Sequence, residues 1–414
     1  MQNTPRSLLL RIGICGRTNT GKSSLLNLIT NQKTSITSDI PGTTTDIVTK
    51  RMELHPIGPV TFLDTAGVDD LSSLGKERVI RTMKRLGTID IAVIVLTNNV
   101  WSEFEDALVA HCRQYKIPIV FVVNKVDLVR PSQQYLSRCK TISDHVICCS
   151  ATEHKRDEFL FEFKQSLIAI CPEQFLNTPP LLGDLIPQEN EYALIVCIVP
   201  IDLGAPKGRL ILPEVHAIRD ALDNNASVVV VKENSYVHFL TTLKSPPDLV
   251  VCDSQVVDFM VRTTPKEIPC TTFSILFSRF KGDIVELAKG AGVLRTLGPS
   301  DSVLIAEACT HHPTSDDIGR VKIPRWIAQH CDKNISITHC SGGDYPDDLA
   351  KYSLIIHCGG CTLNRREMLW RMHQAKDYQV PITNYGIAIS ALHNVVERTL
   401  EPFPHALEAF RTFG

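Results

Sequence analysis

The chain has no apolar run that approaches the ~18 to 20 uncharged residues needed to cross a bilayer. Its longest, Ile89 to Thr97, is broken by Asp90, so no membrane is expected as a partner. The segment Met1 to Leu10 carries one Arg and three consecutive leucines, short of a secretory apolar region with a cleavage site, and the expected compartment is the cytoplasm. No cluster of Lys and Arg is long enough to track a phosphate backbone, and the formal charge is only −2. Nucleic acid is accordingly not an expected partner. Internal repeats and low-complexity tracts are absent, and so is the Cys-x-x-x-Cys-x-x-Cys spacing that a radical-SAM enzyme requires.

What is present is the balance of a packed globular protein, with 43% apolar and 21% charged residues. A length of 414 residues exceeds one hydrophobic core. At ~100–200 residues per domain, three domains are expected. Up to residue 172, apolar strands (Leu8 to Cys15, Val60 to Asp64, Ile89 to Leu96, Ile117 to Val123, His145 to Cys148) alternate with helical stretches such as Leu74 to Leu86, the order of a parallel sheet flanked by helices. A Pro- and Gly-punctuated linker follows at 173–190. A small α/β domain is expected at 191–263, with strands Ala193 to Ile201, Ser227 to Val231 and Val237 to Leu240 and a helix after Pro213. The remainder, 264–414, reads as a second parallel α/β sheet of Rossmann-like order. Its elements are helix Phe273 to Leu297, strand Ser302 to Glu307, helix Pro324 to Cys331, strands Ile335 to Thr338 and Leu354 to His357, and helix Arg365 to Lys376.

Gly16-Arg17-Thr18-Asn19-Thr20-Gly21-Lys22-Ser23, continued by Ser24, fits the P-loop pattern between a strand and a helix. Backbone N–H groups there wrap phosphate oxygens, Lys22 reaches the β and γ phosphates, and Ser23 ligates Mg²⁺. Asp64-Thr65-Ala66-Gly67 ends a strand, so that Asp64 can hold the Mg²⁺ shell while the Gly67 N–H meets the γ-phosphate. Asn124-Lys125-Val126-Asp127 ends another, and there the Asp127 carboxylate can accept two N–H bonds from guanine, a donor pair adenine lacks. Ser150-Ala151-Thr152 completes the set, with the Ala151 N–H available to the guanine O6. In this order the segments define a Ras-like GTPase domain at 5–172 that binds GTP and GDP with Mg²⁺. Its catalytic groups are expected to be Lys22, Thr44 and Gly67.

Pro41-Gly-Thr-Thr-Thr-Asp46 falls where the first switch loop belongs, and Thr44 is the expected third Mg²⁺ ligand beside Ser23 and Asp64. This stretch, with Asn19, resembles the Era and tRNA-modification GTPase branch, in which a matching asparagine helps hold an activating K⁺; Asn19 is the candidate for that role, against a reading as a turn residue that only shapes the loop. Val68 follows Gly67, so the water-orienting glutamine of Ras is absent and slow intrinsic turnover is expected, helped by a monovalent cation or a partner. Asp69 and Asp70 are read as solvated acids.

Two further segments carry metal-binding residues. Cys309-Thr310-His311 follows one strand and His357-Cys358-Gly359-Gly360-Cys361 follows another. Parallel sheets bind ligands at the carboxyl ends of their strands, so the two can converge on one site. Zn²⁺ could take Cys309, Cys358, Cys361 and one His. A four-iron, four-sulfur cluster would take the same thiolates and leave one iron for His311, His357 or Asp316. The residues alone leave both metals open. Cys15, Cys148, Cys149, Cys197 and Cys252 are read as buried small hydrophobes, and His312 and His339 as loop or core residues.

A GTPase domain joined to these cysteine segments resembles the FeFe-hydrogenase maturation GTPases. The resemblance includes Asp202-Leu-Gly-Ala-Pro-Lys-Gly-Arg-Leu-Ile-Leu-Pro213, Pro246-Pro-Asp-Leu-Val-Val-Cys-Asp-Ser-Gln255, Asp317-Ile-Gly-Arg320, Asn364-Arg-Arg-Glu367 and Pro381-Ile-Thr-Asn-Tyr-Gly386. It implies that the middle domain makes a homodimer and that the last domain carries a four-iron, four-sulfur cluster. It further implies a scaffold on which a di-iron precursor is carried as cargo to apo FeFe-hydrogenase, with the two radical-SAM maturases as partners. The rival expectation is a ribosome- or tRNA-directed GTPase with a structural zinc domain; a standalone iron-sulfur enzyme regulated by GTP has no substrate-pocket signature.

Overall fold

The structure is a computed structural model that describes residues 9–30, 49–64, 86–97, 99–150, 156–176, 179–187, 192–201, 210–308, 317–331, 335–342 and 344–413. It divides into two compact units, Met1–Thr178 and Pro179–Gly414.

The first unit holds a six-stranded sheet of β1 (Leu10–Cys15), β2 (Thr49–Leu54), β3 (Gly58–Asp64), β4 (Ile91–Leu96), β5 (Ile119–Val123) and β6 (Val146–Cys148) in the order β2-β3-β1-β4-β5-β6. Every pairing is parallel except that of β2 with β3. Ile-Ala-Val-Ile-Val-Leu in β4 and Ile-Val-Phe-Val-Val in β5 are buried throughout, as central parallel strands covered on both faces must be. Helix Lys22–Thr30 has nine residues, too short to persist alone in water. Burial of Leu25, Leu26 and Ile29 holds it, at about 1.5–3 kcal/mol each. Tertiary packing thus fixes the helix whose first turn must face the ligand.

The second unit holds two four-stranded parallel sheets. One contains β7 (Leu194–Ile198), β8 (Ser227–Val231), β9 (Leu249–Cys252) and β10 (Cys270–Thr272) in the order β10-β9-β7-β8. The other contains β11 (Ser302–Glu307), β12 (Ser336–Ser341), β13 (Leu354–His357) and β14 (Ile382–Asn384) in the order β12-β11-β13-β14. Connections leave β11 and β13 in opposite directions, so the crevice of this Rossmann-like sheet lies beyond the carboxyl ends of those two strands.

Three expectations are corrected here. Val237 to Leu240 is part of helix Glu233–Thr242 and not a strand, since a four-residue apolar run does not distinguish the two. The long helix expected from Phe273 is broken at Gly282, and Asp283 caps a new one, Ile284–Gly292, by accepting from the N–H groups of Val285 and Glu286. The middle sheet also extends past residue 263, because β10 pairs with β9.

Candidate functional site

β1 delivers the chain to the P-loop, and helix Lys22–Thr30 starts immediately after Gly21. Gly21 has φ +89°, and a Cβ there would stand 2.4 Å from Asn124 Nδ2, so backbone angle and close approach both require glycine. Lys22 Nζ donates to Arg17 O at 2.6 Å, and Ser23 Oγ donates to Asp64 Oδ2 at 2.8 Å. Ser23 at the helix start and Asp64 at the end of β3, the two expected Mg²⁺ ligands among the described residues, are therefore in contact. Burial raises the Asp64 pKa, against the opposing pull of the Ser23 hydrogen bond and of Lys22 and Lys50. A partly desolvated carboxylate beside an exposed serine hydroxyl is a place that a divalent cation would stabilise.

The base-side segment braces the same loop. Asn124, buried, donates from Nδ2 to Thr20 O at 2.9 Å, and Lys125, with φ +59°, donates from Nζ to Asn19 O at 2.6 Å. Val126 N donates to Cys149 O at 3.3 Å, which joins this segment to the end of β6 and to half-buried Ser150. Asp127 is exposed, open to a base. Thr44, Gly67 and Ala151 lie outside the described residues, as do Val68, Asp69 and Asp70.

Sequence reasoning missed one brace. Arg17 Nε donates to Glu105 Oε1 at 2.7 Å, and Glu105 is buried at the start of helix Glu103–Gln114. The Ser102-x-x-Glu105 capping box is visible in the sequence and marks that helix start, but nothing in it names Arg17 as the partner.

In the second unit, Cys358 follows the fully buried β13 and donates its N–H to Ala306 O at 2.8 Å, while its Sγ accepts the N–H of Ala308 at 3.0 Å. The ends of β11 and β13 are thereby tied at the sulfur. Lys281, buried, donates from Nζ to Gly360 O at 2.8 Å, Cys361 O at 3.2 Å and Leu363 O at 2.8 Å. Three acceptors require three N–H donors, so the lysine is an ammonium that fixes the Cys358–Cys361 loop. Cys358 and Cys361 are half-buried. Cys15, Cys149, Cys197 and Cys252 are buried as expected, but Cys148 is exposed because it alternates outward on the edge strand β6.

His357 is corrected as a candidate ligand. Its Nε2 accepts from Arg371 Nη1 at 3.0 Å, so the ring proton is on Nδ1, which donates to Cys358 O at 2.7 Å. Both nitrogens are occupied. Burial, then the Arg371 charge, lowers its pKa to about 3, so the ring is neutral. His339 Nε2 lies 3.1 Å from Gly319 O, a satisfied histidine as expected. Cys309, His311, His312 and Asp316 lie outside the described residues, and among the described ones no three His, Cys, Asp or Glu side chains form a metal set.

Comparison with known proteins follows this division. Residues 11–125 match the family profile of the 50S ribosome-binding GTPase. Residues 181–282 match the hydrogen maturase F dimerization domain, and residues 285–402 its tetramerization domain. Among curated relatives, the tRNA modification GTPase MnmE of Synechococcus sp. (strain CC9605) is 37% identical over 29% of this chain and 26% of its own. The GTPase Der of Persephonella marina (strain DSM 14350 / EX-H1) is 36% identical over 33% of this chain and 31% of its own. The chain thus spans about a quarter to a third of the length of these relatives. A crystal structure of Aquifex aeolicus Era bound to GDP and AlF4− is 19% identical, covering 61% of this chain and 97% of that one at a TM-score of 0.32, a likeness too loose to bear on function. The two maturase profiles together cover more than half of the chain and adjoin a P-loop GTPase domain, and the chain belongs to the hydrogen maturase F family.

Proposed function

We propose that the protein binds and hydrolyses GTP in its first domain and serves hydrogenase maturation as a scaffold. On this reading the last domain holds a four-iron, four-sulfur cluster on Cys309, Cys358 and Cys361, and the protein hands a di-iron precursor to apo FeFe-hydrogenase with the two radical-SAM maturases as partners. The observation that carries the cluster is the bond from Ala308 N–H to Cys358 Sγ at 3.0 Å, because Ala308 is covalently joined to Cys309. An N–H donor to sulfur and a half-exposed thiol pair on a lysine-braced loop fit an iron-sulfur group. With His357 engaged on both nitrogens, His311 and Asp316 stay as candidates for the fourth iron. The names of the two matched maturase domains support dimers that pair into tetramers.

Anaerobic reconstitution tests the cluster: brown protein with an EPR signal on reduction is expected, whereas colourless protein with stoichiometric zinc would favour the tRNA- or ribosome-directed rival. That rival draws on the tRNA modification relatives, whose likeness covers 29% of the chain. K⁺ activation through Asn19 is proposed as well, and equal GTPase rates in K⁺ and Na⁺ would remove it. Activation of apo-hydrogenase by protein purified alongside the whole maturation set tests delivery.

A further inference from the structure

The register of the last sheet pairs Ala306 with His357 and His357 with Asn384. The next residues are Glu307, the last of β11, Cys358, the first after β13, and Tyr385, which opens the helix Tyr385–Leu392, so all three lie at the carboxyl edge that forms the crevice. Glu307 is buried, and its Oε2 accepts from Arg320 Nε at 3.3 Å. Tyr385 is 9% exposed, and its hydroxyl has no hydrogen-bond partner among the described residues. A buried hydroxyl without a partner costs about 1–3 kcal/mol, so a fold that retains one calls for an acceptor.

Gly319 shows that this hydroxyl is given its space. A Cβ at that position would stand 2.1 Å from Tyr385 Oη and 2.7 Å from Glu307 Oε1, so any larger residue would drive the phenol away. A phenol keeps its proton at neutral pH, so the hydroxyl is a donor. Its residue follows Asn384 as Cys358 follows His357, so the donor sits on the edge that carries the cysteine loop.

We propose that Tyr385 donates a hydrogen bond to the sulfur of the iron-sulfur group carried by Cys358 and Cys361, as a positioning residue that raises the reduction potential of that group, with Gly319 keeping its place open. The inference rests on the cluster reading above. A hydrogen bond to cluster sulfur withdraws electron density and stabilises the reduced form. No covalent step is involved.

The test is an EPR-monitored redox titration of the reconstituted full-length protein, its Tyr385→Phe variant and its Gly319→Ala variant, with iron and sulfide content and the metal-free melting temperature measured in parallel. Tyr385→Phe should keep the parent's iron and sulfide content and melt no lower than the parent without metal, since it removes an unpartnered hydroxyl, while its midpoint potential moves to more negative values. Gly319→Ala should move the potential in the same direction. An unchanged potential in Tyr385→Phe overturns the proposal and leaves the cluster reading intact. Loss of iron from Tyr385→Phe with an unchanged metal-free fold also overturns it, because the hydroxyl would then be a ligand. A parent protein that takes up no iron sinks the cluster reading and the proposal together.

Discussion

Replacing Lys281 by methionine isolates the brace on the cysteine loop, because methionine matches the length of the stem and removes only the ammonium. Three carbonyls, those of Gly360, Cys361 and Leu363, would lose their donor at a site where Lys281 itself is 2% exposed. Each orphaned buried carbonyl costs about 1–3 kcal/mol, giving about 3–9 kcal/mol in total. The loop also carries half-exposed Cys358 and Cys361, so some carbonyls can turn to water and the lower end applies, about 3 kcal/mol. For a unit of this size, with ~2–4 °C per kcal/mol, the melting temperature of the metal-free second unit should fall by roughly 6–12 °C. Thermal unfolding followed by circular dichroism, without reconstitution, measures this. A transition within about 1 °C of the parent would refute the inference that the three bonds hold the loop.

Three further outcomes follow from the geometry. Asp127→Asn exchanges an acceptor of two guanine N–H bonds for a group that can donate; with about 1.5–3 kcal/mol per charged hydrogen bond, GTP affinity should drop roughly 100-fold or more and xanthosine triphosphate should gain, read by titration of both nucleotides. Asp64→Asn should stabilise the nucleotide-free first unit at neutral pH, since the raised pKa of Asp64 means that its charged form is disfavoured there, while Mg²⁺-dependent GTP binding is lost; the stability gain should vanish as pH falls below the ordinary 3.8, because the native carboxyl is then neutral. His357, held neutral with a pKa of about 3 against the ordinary 6.5, contributes stability that is complete above pH 6.5 and lost as pH falls toward 3, with a slope of up to ~1.4 kcal/mol per pH unit; urea unfolding at stepped pH should show His357→Gln flattening that slope.

The nucleotide site was legible because phosphate binding demands residue types at fixed separations within single segments. Gly21, Lys22 and Ser23 are neighbours in the chain, and Asp64 and Asn124 each stand at the end of a buried strand whose apolar run is plain. Arg17 with Glu105 was not legible, since the partners are separated by 88 residues and meet only after the sheet forms. The cysteine loop was half legible. Cys358 and Cys361 announce themselves by spacing, whereas Lys281 sits 79 residues before Gly360 in an apolar helix where nothing distinguishes it from a solvated charge. His357 was misread for a related reason: a histidine next to a cysteine has the composition of a ligand, and only Arg371, 14 residues on, identifies it as an acceptor already engaged.

The two lysine arrangements decide how a nucleotide could influence the cysteine loop. At the P-loop, Lys22 rests on Arg17 O at 2.6 Å and Ser23 on Asp64 Oδ2 at 2.8 Å, bonds that a phosphate oxygen or Mg²⁺ can replace with stronger charged ones, so that site is built to exchange partners. At the cysteine loop the three bonds of Lys281 are internal, and an incoming ligand would have to satisfy three carbonyls to release them. Opening it costs at least about 3 kcal/mol, the upper limit of the ~1–3 kcal/mol that allosteric coupling typically supplies. On this arithmetic, nucleotide state is expected to change contacts between copies of the chain and to leave the loop's conformation unchanged. Sedimentation of the protein with GDP and with a non-hydrolysable GTP analogue should differ in assembly state, while the reactivity of Cys361 toward a small alkylating agent stays constant in the isolated dimer; a nucleotide-dependent alkylation rate at fixed assembly state would show the loop itself to be the moving part.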